Sequence, residues 1–197
     1  MGGVSNIVSL EDSEATKKNI LYHLEDISNK IENNDRFFMF FSGHGSSLYD
    51  NAYSMKFQKA GLTEKLRDSA AIFPYNFDPE DIEKSLIIGK TDLRTHLEKI
   101  DAKIRSGLIV FDACYSEQAI RSDRMHKQQT PHILTSSKGY PYTNIIYIAS
   151  SITEAESGKF SVVLQSCLDK VIVVADIREC INRKMNKSVQ IPVVLTK

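Results

Sequence analysis

Short unbroken runs of apolar residues alternate along this chain with longer stretches whose apolar positions recur every three or four residues. The first kind suits strands buried on both faces, the second amphipathic helices. Residues 4–10 (VSNIVSL) read as a short strand. From Ser13 to Ile31, the residues Ile20, Leu24, Ile27 and Ile31 share one helical face, with Ser13 or Thr16 available to cap the start. Asn33-Asn34-Asp35 breaks that period. Residues 36–42 (RFFMFFS) then form a buried strand that ends in Gly43-His44-Gly45, expected to be a turn. Residues 46–85 have no period and contain Gly61, Pro74 and Pro79; so long an irregular connection is usually functional or mobile. Leu93, Leu97, Ile100 and Ile104 mark a second helix over 91–104, and residues 107–113 (GLIVFDA) a strand that runs straight into Cys114. A polar, turn-rich stretch follows over 121–144. The pattern then predicts a strand at 145–150 (IIYIAS), helices at 158–170 and 175–185, and a terminal strand in IPVVLT.

Buried strands that alternate with amphipathic helices imply an α/β sandwich with a mainly parallel sheet. In such sheets, sites gather at the carboxyl ends of the strands. Two strand ends here carry reactive side chains, Ser42-Gly43-His44-Gly45 and Asp112-Ala113-Cys114-Tyr115-Ser116, and adjacent strands would bring them together. A thiol nucleophile needs a neighbour that helps form the thiolate and later protonates the leaving amine, which a histidine does near neutral pH. Backbone N–H groups at Cys114 and Gly45 are the natural donors to a developing oxyanion, since glycine permits close approach of the backbone.

Composition adds bounds. With 197 residues the chain suits one domain over 1–197, and its 42% hydrophobic and 25% charged residues are ordinary for a globular protein. Zero net charge and no basic stripe argue against nucleic acid as a partner. No apolar run is long enough to cross a membrane. The three cysteines, Cys114, Cys167 and Cys180, have no paired spacing; they are expected to be free, with the last two as core residues of helices, in a reducing, cytoplasmic setting. His23 lies near the apolar face of the first helix and reads as a surface or boundary residue; His96, His126 and His132 have no metal-ligand spacing with any cysteine, and Tyr140-Pro141-Tyr142 is either a packed turn or the wall of a substrate groove.

Phe40-Phe41-Ser42-Gly43-His44-Gly45 resembles the hydrophobic run plus Ser-Gly-His-Gly that carries the histidine of caspase/metacaspase-like cysteine peptidases. Val110-Phe111-Asp112-Ala113-Cys114-Tyr115-Ser116 resembles the segment that carries their nucleophile. Ala15-Thr16-Lys17-Lys18-Asn19-Ile20 and Gly158-Lys159-Phe160-Ser161 are similar to two helix entries of the same family, in the same order. The resemblance implies a caspase-like three-layer sandwich and a cysteine endopeptidase with His44 and Cys114 as its catalytic pair. It also implies that Asp112 and Ser42 line the pocket for the residue before the cut. An ionised carboxylate there favours Arg or Lys. A protease of that preference could cut itself at Arg121, Arg124, Lys127 or Lys138.

The chain also departs from the family. Glu117 stands where a glycine often follows, and the His44–Cys114 separation exceeds the ~50 residues of caspases, with the excess expected in 46–85. Many metacaspases bind calcium through an acidic pair before the helix that leads to the nucleophile strand. Here that stretch is Gly89-Lys90-Thr91-Asp92, and no acid stands at Arg121. No cofactor or calcium requirement is therefore expected, and Asp78, Glu80 and Asp81 read as a solvated acidic loop. A caspase-type sheet begins, by resemblance, with a strand that lies between VSNIVSL and RFFMFFS. The domain is thus read as incomplete at its N-terminus, with its first strand absent and an upstream domain or partner chain a candidate to complete the sheet. The expected partner is a protein or peptide substrate. The competing reading is a caspase-fold interaction module without turnover. A nucleotide-binding domain is poorly supported, because no Gly-rich loop follows the first strand.

Overall fold

The computed structural model describes residues 6–48, 50–67, 69–113, 141–150, 159–168, 174–185 and 193–195. They build a six-stranded sheet between two helical layers. The strands are β1 (Arg36–Ser47), β2 (Ala70–Phe73), β3 (Ile87–Ile88), β4 (Ser106–Ala113), β5 (Ile145–Ala149) and β6 (Val193–Leu195), in the spatial order β3-β2-β1-β4-β5-β6. The central strands β1, β4 and β5 are parallel, as the unbroken apolar runs predict. The outer strands β2, β3 and β6 pair antiparallel.

The helices are α1 (Lys17–Lys30), α2 (Ser54–Lys59), α3 (Thr63–Leu66), α4 (Ile82–Ser85), α5 (Arg94–Asp101), α6 (Lys159–Leu168) and α7 (Val174–Met185). Of the two candidate caps for α1, Thr16 serves: its hydroxyl accepts from the Asn19 N–H at 3.2 Å. Helices α1 and α5 lie on one face of the sheet. There Leu24, Leu93, Leu97, Ile100 and Ile104 pack against Phe37, Ile109, Phe111 and Tyr147, with Phe41 edge-on to Phe111 at 5.6 Å. Helices α6 and α7 lie on the other, where Phe160, Leu164, Ile177 and Ile181 cover Val110 and Ile148. A third cluster joins Phe57, Leu62 and Leu66 to Ala71, Ile82 and Ile88.

Four expectations are corrected. Residues 6–10 form no strand, and Ile7 is 79% exposed; apolar character alone does not make a strand where no neighbour supplies hydrogen bonds. Gly43-His44-Gly45 is not a turn but the interior of β1, because Ala70–Phe73 pairs antiparallel with His44–Ser47 and carries the strand onward. The connection over 46–85 is not irregular: it holds β2 and three short helices, too short to show a period. Cys167 and Cys180 are bonded to each other, with Cα atoms 5.9 Å apart, because α6 and α7 turn both toward the same apolar cluster. That bond removes the cysteine argument for a reducing compartment.

Arg36–Gly43 of β1 has β4 on one side and, among the described residues, no strand on the other. On that strand Phe38 and Phe40 are 57% and 48% exposed.

The start of β5 hangs on one carboxylate. Asp101, at the end of α5, accepts from the backbone N–H groups of Thr143 (2.9 Å), Asn144 (2.7 Å) and Ile145 (3.0 Å), and its carbonyl accepts from the Asn144 side chain at 2.9 Å. Loss of an acceptor costs about 1–3 kcal/mol per donor left dry, less where water reaches it. Asp101→Ala should therefore lower stability by about 3 kcal/mol, and Asp101→Asn by about 1 kcal/mol, as read by urea unfolding. Equal stability of Asp101→Ala and the parent would show that water replaces the carboxylate at no cost.

Candidate active site

The parallel pairing of β1 with β4 runs Phe40↔Val110, Phe41↔Phe111, Ser42↔Asp112, Gly43↔Ala113. Side chains alternate along a strand, and Phe37, Met39 and Phe41 enter the α1/α5 core. Ser42 and His44 therefore project from the opposite face, the one that carries α6. Asp112, in register with Ser42, projects from that face too. Ser42 and His44 are exposed, whereas Asp112 is only 6% exposed. Gly45, half-buried, is level with Ile72 of β2. Of the five predicted site residues, the structure places Ser42 level with Asp112, and His44 and Gly45 follow on β1 beside β2. The fifth, Cys114, follows Ala113 in sequence and lies outside the described residues, as does most of the polar segment 121–144.

Two serines act on this site without having been singled out for it. The Ser161 hydroxyl, in the first turn of α6, donates to Asp112 Oδ2 at 2.5 Å. Ser150, fully buried at the end of β5, donates its N–H to the Phe111 carbonyl (2.9 Å) and its hydroxyl to the Ala113 carbonyl (3.1 Å). It fixes the backbone of β4 up to the residue before Cys114. Both signals are weak in a sequence, where a serine at a helix start reads as a cap and one after a strand as a turn residue.

Other candidates fall away from the site. His23 is half-buried beside Tyr22, with ring centroids 5.2 Å apart. His96 lies on α5, on the far side of the sheet from Asp112. Tyr142 is packed into the α1/α5 core, and burial pushes its phenol well above the usual tyrosine range, so it is the packed turn rather than a groove wall. Tyr140, His126 and His132 lie outside the described residues.

The family model of the metacaspase, peptidase C14 domain matches residues 5–123, more than half of the chain. The chain belongs to the metacaspase family. Among solved structures, a Geobacter sulfurreducens protein, GSU0716, is similar with a TM-score of 0.58 and 14% sequence identity, over 95% of this chain and 75% of that one. At that identity the likeness shows the fold alone. No curated protein matches the sequence.

The metacaspase resemblance raises calcium, and the residues at the corresponding place do not fit it. Asp92 Oδ2 already accepts from the Ile88 N–H at 2.9 Å and lies 3.4 Å from the Lys17 ammonium, while Oδ1 takes the Thr91 hydroxyl. A cation there would have to displace Lys17. In the acidic loop, Asp81 pairs with Lys84 at 2.9 Å and Asp78 accepts from the Glu80 N–H. No group of three potential metal ligands occurs among the described residues. No described helix is long and apolar enough to cross a membrane.

Proposed function

We propose that this metacaspase is an active cysteine endopeptidase that cuts protein substrates after Arg or Lys through an acyl-thioenzyme, with Cys114 as nucleophile and His44 as general acid and base. The observation that carries the reading is the β1–β4 register. It pairs Ser42 with Asp112 and Gly43 with Ala113; His44 follows Gly43 on β1, and Cys114 follows Ala113 in sequence. The Cys114 thiolate attacks the scissile carbonyl, and the electron pair moves to the carbonyl oxygen, where N–H groups of Gly45 and Cys114 serve as donors. His44 protonates the departing amine. It then takes a proton from the water that releases the acyl group. Asp112, with Ser42 beside it, receives the basic side chain before the cut. The same preference extends to Arg121, Arg124, Lys127 and Lys138 as sites of self-cleavage.

The test is a fluorogenic panel that differs only in the residue before the cut. Arg and Lys substrates should be turned over at least about a hundredfold faster than the Asp substrate, since a carboxylate beside Asp112 meets like charge rather than a partner. Equal turnover of the Asp substrate overturns the specificity.

A further inference from the structure

We infer that Ser161 is a positioning residue for specificity: its hydroxyl fixes the plane of the Asp112 carboxylate and so favours Arg over Lys. The inference rests on the proposed role of Asp112. An aspartate's terminal torsion is broad and roughly twofold, so a carboxylate at a strand end has no preferred plane of its own. Here one oxygen, Oδ2, accepts the Ser161 hydroxyl at 2.5 Å, which removes that freedom. The donor is itself held firmly. Phe160, the preceding residue, is fully buried against β4 in the same cluster as Val110. Further along α6, Cys167 is bonded to Cys180 of α7. The first turn of α6 therefore cannot drift from β4, and the hydroxyl stays on Oδ2.

The consequence differs between the two basic side chains. A guanidinium is a planar fork and pairs best with a carboxylate held in a matching plane. An ammonium is a point charge that is satisfied at any rotation of the carboxylate. Among the described residues no second donor takes Oδ1, which can meet the fork together with Oδ2.

The experiment measures kcat and KM for paired Arg and Lys substrates in the full chain and in Ser161→Ala, Ser161→Thr and Ser161→Cys. Alkylation of Cys114 by iodoacetamide, which does not enter the basic-residue pocket, is followed in parallel. The expected result for Ser161→Ala is about a tenfold loss on Arg, mostly in KM, and under threefold on Lys. The alkylation rate should not change. Threonine, which keeps the hydroxyl, restores the Arg:Lys ratio. Cysteine, a weak donor, behaves like alanine and serves in its place should the alanine variant fail to fold. An unchanged Arg:Lys ratio overturns the inference. So does a parallel fall of both substrates and of alkylation, which marks a merely structural role. Asp112→Asn separates the two readings. If that variant keeps the full basic preference, the proposed role of Asp112 itself fails. If it loses the preference while Ser161→Ala keeps the ratio, only the role of Ser161 fails.

Discussion

Replacing Cys114 with alanine should lower hydrolysis of an Arg-containing fluorogenic peptide by a factor of about 10⁴ or more, and His44→Ala should fall to a similar floor. The two residues act as a unit, so removal of either loses nearly the whole covalent route, and what survives comes from substrate binding and the oxyanion donors alone. Stability should barely move. His44 is exposed on β1 and contributes nothing to any of the three apolar clusters, so its truncation belongs with surface changes within about 0.5 kcal/mol. For a domain of this size that corresponds to a Tm shift of about 2 °C or less. The pairing of a lost activity with a kept melting temperature separates a catalytic role from a folding defect. An alanine variant at Cys114 that still cuts the peptide would sink the assignment of the nucleophile.

The parts of this protein that were legible in its sequence are the apolar runs of the central strands and the apolar stripes of the longer helices. Residues 107–113 and 145–149 are apolar runs because helices cover both faces of the sheet there, which led to β4 and β5; the run at 36–42 led to β1, although only one of its faces is covered and Phe38 and Phe40 are exposed on the other. The helical stripe Leu93, Leu97, Ile100 and Ile104 is equally plain, and all four are buried. What was missed depends on distant partners. Ala70–Phe73 and Ile87–Ile88 are four and two residues long and become strands only because β1 extends past His44 to receive them. Ile7, Val8 and Leu10 look like a strand, yet among the described residues no strand pairs with them and they stay irregular. The glycines around His44 suggested a turn, whereas in the sheet Gly43 leaves room for the Phe41 ring, which a Cβ would meet at 2.9 Å. The Cys167–Cys180 bond and the Ser161–Asp112 hydrogen bond join residues whose separation in sequence carries no period, so no local rule could reveal them.

The Asp112→Asn variant should lose about 10³-fold in kcat/KM toward Arg substrates. Asp112 is almost wholly buried, its neighbours Phe111 and Ala113 are fixed by Ser150, and one of its oxygens is taken by Ser161. Its charge is therefore presented in a dry, rigid place, where a pairing guanidinium gains most. Truncating one partner of such a buried charge pair costs 2–5 kcal/mol, and each 1.4 kcal/mol is tenfold, which gives the factor of about 10³. Asparagine keeps the volume and can still accept the Ser161 hydroxyl, so the fold and the Cys114 environment are left alone. The loss should fall on basic substrates and should not appear in the rate at which iodoacetamide alkylates Cys114. Melting temperature should stay level or rise, because a buried carboxylate with no cationic partner among the described residues is replaced by a neutral amide. Full turnover of the Arg substrate by Asp112→Asn would mean that another acidic group reads the basic side chain.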